Sequence, residues 1–143
     1  MKDASRILVL DANILIRAVL GIKVRTIISD FNNSVCFLTP DACFSDAQKY
    51  IPTLFQKRKL NPEIALEVLN RLSSLVDIIE ADIYEACKEE ALARIKQRDI
   101  DDWPIVATAL TFNSPIWTED QDFFGTGIAA WTTDRIHLFT NSL

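Results

Sequence analysis

The sequence predicts an α/β protein with three layers, α/β/α, around a mostly parallel central sheet of about 4–5 strands. Three observations lead there. Short apolar runs (RILVL, VCFL, VDIIE, SPIWT) alternate with longer amphipathic stretches, the order expected when parallel strands are joined by helical crossovers. Glycine and proline number only 3 and 5 in 143 residues, leaving little room for long linkers. The hydrophobic content of 49% suits one domain, residues 1–143, with a sizeable core.

Each element has its own justification. Residues 6–10 (RILVL) are short and apolar throughout, as in a central strand buried on both faces. Residues 12–20 have helical composition, with Gly21 placed as a C-cap. VRTIISDF is a second amphipathic helix, Asn32-Asn33-Ser34 a turn, and VCFL (35–38) the second strand. Thr39-Pro40 reads as a helix start, Thr at N-cap and Pro at N1. That helix presents Cys43, Ala47, Tyr50 and Leu54 on one face, and Pro52 predicts a kink or break. Asn61-Pro62-Glu63 opens the next, carrying Ile64, Leu66, Val68, Leu69 and Leu72. VDIIE (76–80) is a third strand, and Asp82 starts a helix through Ala86, Leu92 and Ile95. Asp101-Asp102-Trp103-Pro104 is a capped start for IVATALTF, followed by a short strand in SPIWT (114–118). TEDQDFFGTG is a loop or single helical turn, and the C-terminal AWTTDRIHLFTNSL holds at most a short strand or two.

Charge narrows the function. Lys plus Arg total 15 against 20 for Asp plus Glu, a net charge of −5, so charge alone does not make a general polyanion binder. A nucleic-acid enzyme of this composition would need its acids gathered at a metal site with basic residues around it. Cys36, Cys43 and Cys87 form no C-x-x-C pair and read as buried free thiols in a reducing compartment. MKDASRILVLDAN has no signal-peptide core, and no apolar run approaches the roughly 18 residues of a membrane span. A soluble, cytoplasmic protein is expected.

The acids carry the chemistry. Ligands of open parallel sheets bind beyond the carboxyl ends of the strands. Asp11 ends the first strand, and Asp120 and Asp122 follow the IWT strand. Asp101 and Asp102 open the helix leading into that strand, and Asp46 lies in the helix after VCFL. Taken singly, Asp101 or Asp102 can be an N-cap, Asp120 or Asp122 a turn former, and Asp46 a solvated helix residue. Asp11, flanked by apolar residues on both sides, resists such a reading. Jointly these acids would repel one another unless a cation neutralised them. Oxygen-only donors favour Mg²⁺ or Mn²⁺ over zinc. The single histidine, His137, has no obvious partner and reads as a packed or surface residue, which argues against histidine-driven hydrolysis.

ILVLDANILI, RDIDDWPIVATAL and IWTEDQDFF, in that order, resemble the first, third and last motifs of the PIN-domain ribonucleases, and the length resembles their single-domain, VapC-like toxin members. The resemblance implies a metal-dependent endoribonuclease with Asp11, Asp102 and Asp120 as ligands and Asp122 as an additional or alternative acid. The family's usual Glu after the second strand is replaced by Asp46, one methylene shorter, for which water-mediated contact with the metal is expected. Asp41 competes for that role but falls in the first helical turn, where it would stabilise the helix dipole. Asn13 and Thr118 match polar positions that orient the family's site. The carboxylates would hold Mg²⁺ or Mn²⁺, which activates water and stabilises charge on the scissile phosphate. Lys57, Arg58 and Lys59, or Arg94, Lys96 and Arg98, would contact RNA phosphates, unless they are solvated helix ends. Trp103 would anchor its helix start or stack on a base.

The toxin-like resemblance also implies a small antitoxin protein covering the acidic pocket. Helices near residues 12–31 and 50–70 could take that partner or a second copy in a homodimer. Two rivals stand beside this reading. One is a PIN-like module kept for binding or assembly, for which the short acid at Asp46 is the pointer. The other is a haloacid-dehalogenase-like phosphohydrolase using Asp11 as nucleophile, disfavoured because Asn13 replaces the second acid such enzymes need.

Overall fold

The computed structural model describes residues 6–141; Met1–Ser5, part of the stretch read as lacking a leader, lie outside the described residues. Five strands form one sheet in the order β3-β2-β1-β4-β5, and every pairing is parallel. They are β1 (Arg6–Leu10), β2 (Val35–Pro40), β3 (Val76–Ile79), β4 (Ile116–Trp117) and β5 (Ala130–Trp131). Between β1 and β2 run α1 (Ala12–Leu20) and α2 (Lys23–Asp30); between β2 and β3, α3 (Asp41–Lys57) and α4 (Pro62–Leu72). Short α5 (Ala81–Tyr84), then α6 (Lys88–Ile95) and α7 (Trp103–Phe112), lead to β4, and α8 (Ile136–Thr140) follows β5.

Alternation along the strands makes the three layers. Leu8 and Leu10 of β1, with Val35, Phe37 and Trp117, face a core built with α1 to α4 and α8. Val9, Leu38 and Ile116 point the other way, into a core with Tyr84, Ala91, Ile95 and the apolar residues of α7. Successive side chains of a strand point to opposite faces, so a strand covered on both sides must be apolar throughout. The expected α/β/α sandwich is therefore the observed one. Among the described residues no helix is long and apolar enough to cross a membrane.

Several local expectations are corrected. β2 continues through Thr39 and Pro40 instead of ending at Leu38, because both pair with β3 opposite Ile78 and Ile79. Thr39 caps nothing: its buried hydroxyl donates to the Leu10 carbonyl at 2.8 Å, tying β2 to β1. Pro40 is the N-cap, and α3 is a single helix that contains Pro52. The face of α3 that is buried is Cys43, Ala47, Ile51 and Phe55, while Tyr50 is 51% exposed. Ile64 of α4 is likewise exposed; Ala65, Leu69 and Leu72 are the buried residues there. The helix expected from Asp82 to Ile95 is broken by a 3₁₀ turn at Glu85–Cys87. Residues 136–140 are helical, where only strand was expected. Among the described residues no cysteine is in a disulfide, and of Cys36, Cys43 and Cys87 only Cys43 is buried. His137 is exposed.

Candidate metal centre

Strand order reverses at β1. The chain builds β2 and β3 outward on one side, then returns to place β4 on the other. Crevices of this kind, at the carboxyl edge, are where open parallel sheets bind ligands. Asp11 stands there as N-cap of α1, its Oδ1 accepting the Ile14 N–H at 3.0 Å. Its Oδ2 accepts the Thr118 hydroxyl proton from the end of β4. The same Thr118 Oγ accepts the backbone N–H of Asp120 at 2.9 Å. One hydroxyl thus joins the acid after β1 to the acid after β4. Thr118 is 1% exposed and Asp11 4% exposed, so both are fixed by packing as well as by hydrogen bonds.

The second part of the site comes from two 3₁₀ turns. Residues Ile100–Asp102 form one, capped by Asp99, whose carboxylate accepts the Asp101 N–H at 3.1 Å. Residues Gln121–Phe123 form the other, capped by Asp120, whose Oδ1 accepts the Asp122 N–H at 2.9 Å. The turns bring Asp102, Asp120 and Asp122 together, with a carboxylate oxygen of each within 4.8 Å of the others. Asp102 Oδ2 is buried and has no hydrogen-bond partner. A buried acceptor left unsatisfied is costly. Three grouped carboxylates, one of them with such an oxygen, fit a hard divalent cation bound through oxygen.

Electrostatics agree with the geometry. Burial pushes the Asp11 carboxyl up to about 6, against the opposing hydrogen bonds from Thr118 and Ile14, with the charges of Asp120 and Glu119 adding to the rise. Burial first, then the charges of Asp99, Asp120, Asp11 and Asp122, together push the Asp102 carboxyl up to about 7. The Cys43 thiol is raised by burial and by its neighbours Asp11, Asp46 and Asp102. These are the shifts of anions crowded together in partial desolvation.

Asp11, Asn13, Cys43, Asp46, Asp102 and Asp120 line one cleft of about 90 Å³. Pockets for drug-sized ligands run to about 300–1,000 Å³, so this one is scaled for an ion, its waters and a small charged group. Asp46 is at its exposed rim, one turn into α3. Asp11 lines the cleft but does not join the tight group of three. Asp41 lies elsewhere in its bonding: it accepts from Tyr84 Oη (2.6 Å) and from the Ala81 N–H (3.0 Å), joining α3 to α5.

None of the basic candidates lines the cleft. Lys57, Arg58 and Lys59 close the C-terminal end of α3, about 16 Å along the helix from Asp46 at 1.5 Å per residue. Arg94 pairs with Glu90 and donates to the Thr126 carbonyl, and Arg98 donates to the Gln121 carbonyl. Lys96 is exposed beside them, around a cavity of about 310 Å³. Trp103 packs on Tyr84, ring centroids 5.6 Å apart, beneath the Lys88 ammonium, which is an anchoring role. Sequence reasoning missed Asp99, whose Asp-x-Asp spacing to Asp101 is that of a side chain capping a turn.

The fold is similar to several solved structures. The crystal structure of PAE2754 from Pyrobaculum aerophilum gives TM-score 0.71 at 12% identity, covering 96% of this chain and 91% of that one. VapBC2 from Rickettsia felis, bound to a DNA fragment from its promoter, gives 0.68 at 14% identity, covering 88% and 98%. FitAcB from Neisseria gonorrhoeae gives 0.63 at 19% identity, covering 88% and 97%. No curated protein matches the sequence. The profile of the PIN domain matches residues 9–141, which takes in the end of β1, all of β2 to β5 and all the clustered acids, and the chain therefore belongs to the PIN-domain family of nucleases.

Proposed function

We propose that this protein is a Mg²⁺- or Mn²⁺-dependent endoribonuclease, the toxin of a toxin–antitoxin pair. The observation that carries the metal is the Asp102–Asp120–Asp122 carboxylate group, one member of which, Asp102, also has a buried oxygen with no hydrogen-bond partner. Those three residues, with Asp11 beside them, would hold the cation. A bound divalent ion lowers the pKa of water and offsets charge on a phosphodiester. Asp11 is held by Thr118 and Ile14 so that its position does not depend on the ion. Asp46, on the open rim, would orient or deprotonate a water at the mouth of the cleft. Asn13, exposed beside it, offers an amide to the substrate. An acidic cleft repels RNA unless a cation is present, so substrate and metal should depend on each other.

The partner proposals rest on surface and likeness. The structures of VapBC2 and of a toxin–antitoxin complex from Klebsiella pneumoniae share this fold. Exposed Ile22, Tyr50, Leu60 and Ile64 lie within the stretches, residues 12–31 and 50–70, expected to take an antitoxin or a second copy. A cytoplasmic setting follows from that role.

The test is RNA cleavage with Mg²⁺ or Mn²⁺ by wild type, Asp11→Ala and Asp102→Ala. Each substitution should lower the rate at least ~100-fold, and chelator should abolish cleavage. Equal rates from both variants would show the site to be wrong. Asp46, shorter than the family's Glu, keeps a binding-module reading alive; calorimetry showing no Mn²⁺ bound by wild type would favour it.

A further inference from the structure

The residues that follow α6 touch both sides of the acid cluster. Arg98 Nη1 donates to the Gln121 carbonyl at 3.2 Å, the peptide group between Asp120 and Asp122. The next residue, Asp99, holds the opposite side: its Oδ1 accepts the Asp101 N–H at 3.1 Å and its carbonyl the Asp102 N–H at 3.1 Å. One peptide unit therefore connects the turn bearing Asp102 to the turn bearing Asp120 and Asp122.

The Arg98 contact is built on the loop side as well. Gly125 and Gly127 have φ of +88° and +82°. A Cβ at Gly125 would stand 3.0 Å from Arg98 Nη2, and one at Gly127 2.7 Å from Arg94 Nη1. Two guanidinium groups from the end of α6 thus occupy the space where loop side chains would be. Arg94 adds a bond to the Thr126 carbonyl at 2.8 Å. Among the described residues the ion pairs are Arg71–Glu67 and Arg94–Glu90, so Arg98 is not drawn aside by a carboxylate. A planar guanidinium can lie flat over a glycine while it donates sideways to a carbonyl; an ammonium cannot do both.

We propose that Arg98 and Asp99 are positioning residues that set the separation between Asp102 and the Asp120–Asp122 pair. The inference rests on the cation reading of that cluster. Its physical reason is tolerance: Mg–O bonds are about 2.0–2.1 Å with near-octahedral demands, so small shifts of one turn against the other are felt. Two-residue strands offer little to resist such shifts.

Mn²⁺ binding by calorimetry on the full chain tests it, using wild type, Arg98→Ala, Arg98→Lys, Asp99→Ala and Asp99→Asn. Ile28→Val, on the buried face of α2, controls for a general loss of stability. Arg98→Ala and Asp99→Ala should weaken Mn²⁺ about 10–100-fold, as supporting-residue substitutions do at metal sites. Arg98→Lys should recover little. Asp99→Asn should recover most, because its amide oxygen still accepts from Asp101. Ile28→Val should lower Tm and leave affinity unchanged. If Arg98→Ala binds Mn²⁺ within about twofold of wild type, Arg98 positions nothing. If Asp99→Asn loses as much as Asp99→Ala, charge rather than position is at work and the role given to Asp99 is wrong. Wild type that binds no Mn²⁺ overturns the cation reading and this inference together, an outcome distinct from binding that the substitutions leave intact.

Discussion

The two sides of the sheet support one cleft by different means. On one side β1 and β2 are five and six residues long, and α1 begins at once with Asp11 as its cap. Regular structure there fixes the acid: its neighbours Leu10, Ile14 and Leu15 are fully buried. On the other side β4 and β5 have two residues each, and Asp120 and Asp122 sit on a 3₁₀ turn. Side-chain bonds do the fixing there: Thr118 to Asp120, Glu119 to the Thr133 N–H at 2.7 Å, and Arg94 and Arg98 to loop carbonyls. Where ladders are short, position depends on individual side chains. Substitutions on the first side should therefore reach the whole fold, and those on the second should reach the site first.

The largest effect expected on stability is Leu8→Ala in β1. It leaves a cavity between sheet and helices and should cost about 2–5 kcal/mol in urea unfolding. A loss as small as that of a surface change would remove the contrast. Thr118→Val is next, since it severs the bond that joins the two sides. It should cost about 1–3 kcal/mol and lower metal-dependent cleavage about tenfold or more, with Thr118→Ser near wild type. Cleavage kinetics and unfolding on the same preparations would check both parts; a valine variant of undiminished activity would show that the sides need no link. The smallest effect is a pH dependence. Asp11 and Asp102, with carboxyls raised to about 6 and 7, favour the protonated form when folded. The folded chain then holds more protons than the unfolded one, so stability falls as pH rises through those values. Without added metal, Tm should be roughly 5 °C higher at pH 5.5 than at pH 8, and Asp102→Asn should flatten the difference. A Tm that rises over this interval would contradict it.

The same asymmetry governs what could be read from the sequence. RILVL followed by Asp-Ala-Asn declared a buried strand and a capped helix, and both are where the pattern put them, because composition and periodicity suffice for elements covered on both faces. Thr39-Pro40 misled because Pro at the end of a strand and Pro at the start of a helix look alike; Thr39's bond to Leu10 decided the matter from a strand distant in sequence. The expected buried face of α3 holds Tyr50 and Leu54 with Cys43 and Ala47, but the core lies on the side of Ile51 and Phe55, which the helical period alone does not decide. For Arg94 and Arg98 the charge is visible in a sequence, whereas their bonds to loop carbonyls are not. Of the acids, Asp102, Asp120 and Asp122 lie in one tight group without Asp11 or Asp46, and Asp99 stayed hidden behind a capping role that depends on the turn it makes.

The lone buried oxygen of Asp102 has a thermodynamic corollary. A fold that leaves such an atom unsatisfied sits higher in free energy than it would with an ion bound, so occupancy and folding are linked equilibria. An ion that binds the folded chain alone adds RT ln(1 + [M]/Kd) to its stability, about 2.7 kcal/mol at a hundredfold excess over Kd. Melting curves taken across a series of divalent salts would therefore rank the ions by affinity without RNA, a nuclease assay or any knowledge of the target.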